Sequence, residues 1–388
     1  MNDSNRFVRI FVRILSYILV AAIAACVTFF ALINSGNSKL NQLRSLISNC
    51  FIGEVTEQQL NDGAAAGMVA ATGDKWSYYI PAADYDAHMA SLQNEYVGIG
   101  VTISTTMTET GIEILEVDPQ GGAYEAGIQA GDIICRIGDQ SAVELGIDGS
   151  KVLIQGDANT QVEVAVLRDG TEQTFQVARK RIKVIVAQGQ MLPGNIGLVI
   201  IANFDERCAD ESIAAIESLM EQGATALIFD VRFNPGGFKT ELVELLDYLL
   251  PEGPVFRSVN FRGQEEISES DAKCLDIPMA VLLNESSYSA AEFFGAALRE
   301  YDKAILVGTP TTGKSYFQNT YQLSDGSAVG LSVGKYCTPK GVSLAEVGGL
   351  KPDVEVPVED EILRGIYAGT LKAEDDPQIQ AAIAALQK

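Results

Sequence analysis

Three serines stand in the stretch NESSYSAAEFFGAAL, residues 284–298, directly after a short apolar run. A hydroxyl at the start of a helix is either a cap or, given a base, a nucleophile. The usual base is absent in practice. The chain's one histidine, His88, lies far upstream in AADYDAHMASLQ with no motif around it, and we read it as a solvated helix residue. A Ser-His-Asp triad therefore cannot be built, and lysine is the remaining choice, since serine–lysine variants do the same work. Lys314 follows in TPTTGKSYFQ. With an ordinary pKa, only about one lysine in 2,500 is neutral at pH 7, so a basic Lys314 needs a desolvated pocket. A third element, DVRFNPGGF at 230–238, offers a Pro-Gly-Gly turn with exposed N–H groups. Nucleophile, base and donor-rich turn are the parts that acyl transfer requires.

The elements that would hold these parts form an α/β pattern. From residue 195, strands NIGLVIIANF, ALIFDVR, PMAVLLN and AILVG alternate with helices ADESIAAIESLMEQG, KTELVELLDYLL and SAAEFFGAALREY. Such alternation implies a mostly parallel sheet with crossover helices, and ligands sit at the carboxyl ends of its strands. The loops after Asp230, Leu283 and Val307 then share one rim. Asp230 and Arg232 are expected to form a structural pair, and Asn234 to be a turn residue. EDDPQIQAAIAALQ reads as a final helix with an Asp cap and Pro377 in its first turn. Residues 38–95 read mostly as helix. Tyr96 onward changes to short alternating strands broken by two short helical patterns, a compact β module.

GTPTTGKS, residues 308–315, also fits GxxxxGK[ST], the phosphate-binding loop of nucleotide hydrolases. That motif needs a helix right after the lysine and serine. The β-rich YFQNTYQLSDGSAVGLSV follows instead, so the nucleotide reading is rejected.

Composition sets the context. The net charge is -23, from 28 basic and 51 acidic residues, which excludes a nucleic-acid partner. No charge falls between Ile14 and Ile33, long enough to span a hydrocarbon core of about 30 Å. Arg6, Arg9 and Arg13 precede that run, which orients the N-terminus to the cytoplasm and the rest outside. The rival is a cleaved signal peptide with AAIAA as its small-residue site; an uncleaved anchor is preferred because the run is long. The six cysteines are widely spaced, with no CxxC, so we expect scattered core thiols, no disulfide framework and no metal site.

Several long motifs, in order, resemble the C-terminal processing (tail-specific) serine peptidases. They are GDKWSYYIPAADYDAHMASLQNEYVGIGV, GAYEAGIQAGDIICRIGDQSAVELGIDGSKVLI, LIFDVRFNPGG and GKYCTPKGVSLAEVGGLKPDVEV. The resemblance implies Ser289 as nucleophile and Lys314 as general base; Ser286 and Ser287 sit too early. It implies Gln318 as the residue that orients the lysine, although four residues of extended strand span about 13 Å. Backbone N–H groups of Ala290 and of the Gly236 turn would form the oxyanion hole. YVGIGV, with Val97, Gly98, Ile99, Gly100 and Val101, corresponds to the carboxylate-binding loop of a PDZ module that holds substrate tails. Three positions depart from the family pattern: Tyr288 before the nucleophile, Ala291, and Ser315 after the lysine.

The resulting expectation is an α/β protein in four parts. Residues 1–34 form a cytoplasmic stub and transmembrane helix, 35–95 a helical N-terminal region, 96–182 a PDZ-like β module, and 183–388 a peptidase core. It would be a single-pass protein of the cell membrane with its catalytic part extracytoplasmic, acting without cofactor or metal on protein or peptide tails. Association into a homo-oligomer is left open. The rival from another class is a non-catalytic PDZ-bearing scaffold that binds tails without cutting.

Overall fold

The computed structural model describes residues 3–36 and 38–387, with side chains from 11 to 30 and from 39 to 387. It divides into two units, Met1–Gly73 and Asp74–Lys388. The first contains α1 (Asp3–Gly36), α2 (Ser38–Cys50) and α3 (Glu57–Ala70). Within α1, Phe11–Phe30 has a mean hydropathy of 2.2 with none of it buried, long and apolar enough to cross a membrane. A capping box starts α3: Gln59 N–H donates to Thr56 Oγ1 (3.1 Å) and Thr56 N–H to Gln59 Oε1 (2.9 Å). Arg44 ties α2 to α3 by donating to Asn61 Oδ1 at 2.7 Å.

In the second unit, antiparallel strands Val101–Met107, Ile112–Val117, Ile133–Ile137, Gln161–Arg168 and Thr171–Ala178 form one sheet in that order. Helices Gly122–Ala126 and Ala142–Ile154 cover it, and Ile99, Ile114, Ile134, Val164 and Val177 fill the core between them. The strands entering and leaving this module, Glu95–Gly98 and Lys180–Lys183, pair antiparallel with each other. It is therefore an insertion whose two ends meet.

The remaining strands are β1 (Tyr78–Ile80), β2 (Ala187–Leu192), β3 (Ile196–Ile201), β4 (Ala226–Asp230), β5 (Gly253–Asn260), β6 (Glu265–Ser270), β7 (Met279–Leu283), β8 (Ala304–Gly308), β9 (Tyr316–Gln322), β10 (Ala328–Cys337) and β11 (Val354–Glu355). One sheet runs β2-β3-β4-β7-β8-β11. Its β2–β3 hairpin is antiparallel and every other neighbouring pair is parallel. Side chains alternate with the period of two that a strand imposes. Leu227, Phe229 and Val281 pack under α4 (Cys208–Glu221), α5 (Lys239–Leu249) and α6 (Ala290–Glu300), while Ile228, Ala280 and Leu282 pack under α7 (Pro377–Leu386). Asp376 caps α7, its Oδ1 accepting from the N–H groups of Gln378 and Ile379. The other sheet is antiparallel, β1-β10-β5-β6, with β9 hairpinned to β10.

Most of the segment 38–95 is helical, in α2, α3 and Tyr85–Leu92, and Tyr78–Ile80 is a strand whose pairing with β10 comes from far along the chain. Two expectations are corrected here. His88 is half-buried against Tyr78 (ring centroids 5.8 Å), its Nε2 is enclosed, and burial lowers its pKa. Of the cysteines, Cys26, Cys50 and Cys274 are exposed and only Cys208 is fully in the core.

Candidate active site

The turn between β7 and α6 fixes the roles of the three serines. Ser287 is buried, donating its hydroxyl to Val231 O (2.7 Å) and accepting from Asn284 N–H (3.0 Å). It is a structural pin. Ser286 donates its N–H to Asn284 Oδ1. Ser289 stands apart, at φ 58° and ψ −126°, left-handed for a non-glycine residue and strained. Strained non-glycine residues of this kind cluster at active sites, ligand clamps and switch regions.

Gly236 makes that turn possible. At φ 89°, a Cβ on it would lie 2.7 Å from Ser289 Cβ and 2.9 Å from Ala290 N, so only glycine admits this approach. The turn is held by Asn234, which donates to Ile201 O (2.8 Å) and whose carbonyl accepts from Tyr288 N–H (3.1 Å). Ala290, the first residue of α6, has an N–H with no helical acceptor. The Gly236 N–H, by contrast, donates to Asn234 Oδ1 at 2.8 Å, so this expected oxyanion donor is already engaged.

Glu292, one turn into α6, connects the two proposed catalytic residues. It is completely buried. Its Oε2 accepts from the N–H groups of Ser289 (2.9 Å) and Lys314 (2.8 Å). Its Oε1 accepts from Gly313 N–H (2.6 Å) and from the Thr311 hydroxyl. Burial raises its carboxyl pKa, and these donors pull it back. One carboxylate thus fastens the serine turn to the lysine loop. The signal was in the sequence: SAAE has the S-x-x-E spacing of a capping box.

Lys314 is half-buried. Burial lowers its pKa, while the charges of Asp74 and Glu292 oppose the shift. Its Nζ stands 4.6 Å from the Trp76 ring centroid and 5.8 Å from that of Tyr288. Strand β9 begins two residues later, so no helix follows the GKS sequence, in keeping with the rejection of a phosphate loop. Gln318 does not reach the lysine among the described residues. Its Nε2 donates to Ser332 Oγ (2.9 Å) and Tyr316 O (3.1 Å), because it lies on an extended strand and points to β10.

Asp230 and Arg232 form the structural pair expected, extended by Asp376: Arg232 lies 2.5 Å from one carboxylate and 2.8 Å from the other. The opposite edge of the glycine turn carries a titratable group. Phe204 N–H donates to Gly236 O, and the next residue, Asp205, has its carboxyl pKa pushed up to about 7 by burial and by Glu241. An unfolded chain releases that proton near the ordinary value, whereas the fold keeps it until about pH 7. This contribution to stability is therefore complete at acid pH and is lost as pH rises through that window, by on the order of 4 kcal/mol. Asp205→Asn should remove the loss, so its urea midpoint should change less than wild type between about pH 5 and pH 8.

In the β module, Gly98, Ile99, Gly100 and Val101 line a cavity of about 150 Å³ together with Ile103, Lys151 and Ile154. Val97 does not line it. It faces a larger cavity, about 840 Å³, that is bordered by Arg181, Asn203, Asp205 and Pro235 of the glycine turn. Tyr96 and Gln155 belong to both. No cluster of residues suited to a metal occurs among the described residues.

An α/β core with a strained helix-capping serine, a lysine and an inserted PDZ-type module has the make-up of a serine peptidase. Comparison with known proteins agrees. Residues 195–356 match the profile of peptidase family S41, and residues 97–178 that of the PDZ domain. The carboxyl-terminal-processing protease of Synechocystis is 30% identical over 81% of this chain and 74% of that protein. Carboxy-terminal processing protease CtpA of Bacillus subtilis is 29% identical over 88% and 76%, respectively. The solved photosystem II D1 C-terminal processing protease superposes with a TM-score of 0.50 at 25% identity, covering 88% of this chain and 94% of its own. The chain belongs to the S41 family of C-terminal processing serine peptidases.

Proposed function

We propose that this peptidase is anchored in the cell membrane by residues 14–33, with its N-terminus cytoplasmic, and cuts extracytoplasmic proteins near their C-termini. The observation that carries the reading is the Glu292 clamp: one buried carboxylate binds the backbones of a strained serine and a desolvated lysine. Neutral Lys314 takes the Ser289 proton as Oγ bonds to the scissile carbonyl carbon. The Ala290 N–H stabilises the oxyanion, and Gly236 joins it by exchanging Asn234 Oδ1 for the substrate oxygen. When the C–N bond breaks, the lysine returns the proton to the leaving amine. A water, deprotonated by the same lysine, then releases the acyl group.

The parts divide as anchor (1–34), N-terminal region (35–95), PDZ domain (96–182) and peptidase core (183–388). The cavity lined by Gly98, Ile99, Gly100 and Val101 receives the tail carboxylate. Tyr96 and Gln155 border both cavities, which suits a peptide running from the PDZ groove towards Pro235 and the nucleophile. Gln318 acts on the lysine from a distance.

The test uses the full chain in detergent with β-casein and with a tail peptide carrying a free or amidated C-terminus. Fragments should appear, and amidation should weaken peptide binding. Tail binding without any fragments would restore the scaffold reading, which membership of a peptidase family disfavours.

A further inference from the structure

Trp76 is the chain's only tryptophan, and it touches the proposed base. It comes from the segment ahead of the PDZ module and enters the core on the turn before β1. That turn is closely pinned: Asp74 Oδ1 accepts from Trp76 N–H (3.1 Å) and Oδ2 from the Ser77 hydroxyl (2.6 Å). Ser77 Oγ accepts from Ser332 N–H on β10 (3.1 Å), and the Asp74 carboxylate is hydrogen-bonded to the Ser332 side chain. The Trp76 and Tyr288 rings lie 5.8 Å apart, tilted by 37°, and the lysine amine stands against both.

We propose that Trp76 is a positioning residue for Lys314, its indole, backed by Tyr288, holding the lysine side chain at the nucleophile and shielding the amine from water. The inference rests on the reading of Lys314 as base. It also explains Gln318: its hydrogen bond to Ser332 steadies the turn that carries the indole. Two effects of the ring oppose each other. Shielding favours the neutral amine, whereas ring contact favours the ammonium by about 0.5–1 kcal/mol at partly exposed sites. Burial is the largest influence on this lysine and lowers its pKa, and we take shielding as the stronger of the ring's two effects. The other groups facing the amine or the ring are Asp74 on the turn, Glu292 on α6, the Tyr288 phenol and exposed Lys75, whose Nζ is 4.6 Å from the same indole.

A lone tryptophan makes the contact directly measurable. Its emission, followed with pH in the full chain, should show an alkaline transition that Lys314→Met abolishes and Lys75→Met retains. In β-casein cleavage, Trp76→Ala should move the acid limb of kcat/KM to higher pH. A move of about one unit lowers the rate near neutrality about tenfold. Trp76→Phe, which keeps an apolar cover, should restore the limb and most of the rate. An emission transition unchanged in Lys314→Met overturns the proposal even if Trp76→Ala fails to fold, and so does an unmoved acid limb in Trp76→Ala. Activity surviving in Lys314→Ala would instead overturn the lysine-base reading itself.

Discussion

Lys314→Ala is expected to cut the kcat for β-casein by about 10⁴-fold or more, and Ser289→Ala by a similar factor. Members of one nucleophile–base unit fail together, so the double variant should be hardly worse than either single one. The fold should survive both changes. The Lys314 contact with Glu292 runs through its backbone N–H, which alanine keeps. The same holds for Ser289, whose N–H also donates to Glu292. Lys314→Arg provides the sharper control. A guanidinium keeps the charge and can contact the Trp76 ring, but it does not deprotonate in proteins and cannot serve as base. It should be as inactive as alanine. Initial rates of fragment release, at matched circular dichroism, decide the matter; Lys314→Arg within tenfold of wild type would remove the lysine from the mechanism.

What could be read in the sequence was whatever local spacing encodes. The strand–helix alternation from residue 195 and the inserted β module leave short-range patterns, and the structure has each of those elements in its place. The features that escaped are long-range. Trp76 reaches Lys314 only because a three-residue strand pairs with β10, and no periodicity announces a strand that short. Gln318 was judged by its distance in sequence from the lysine, whereas its actual partner, Ser332, lies on the neighbouring strand of the hairpin. Asn234 looked like a turn residue and is one, but its side chain also occupies the Gly236 N–H, which a reading of NPGG alone cannot show. Glu292 was legible in principle from the S-x-x-E spacing, although an apolar helix start draws attention to its serines first.

Glu292→Gln should cost about 10²-fold in catalysis, less than loss of the base, and unlike that change it should also weaken the fold. Each carboxylate oxygen accepts at least one backbone N–H: Gly313 on Oε1, and Ser289 and Lys314 on Oε2. An amide must put NH₂ at one of these positions. In either orientation a buried donor then faces a buried donor, and backbone N–H groups cannot rotate away. Leaving a buried donor unpaired costs about 1–3 kcal/mol, so we expect a loss of about 3 kcal/mol of stability. The serine turn and the lysine loop would relax apart, and a displacement near 1 Å costs about 10²-fold in rate. The loss should fall on kcat with KM nearly unchanged, because the cavity proposed to receive the tail is lined by other residues. Glu292→Asp keeps two acceptor oxygens but shortens the reach, and should fall between the two. Steady-state kinetics alongside urea denaturation test the clamp; a glutamine variant with wild-type stability and kcat would show that the four donors find other partners and that Glu292 does not couple Ser289 to Lys314.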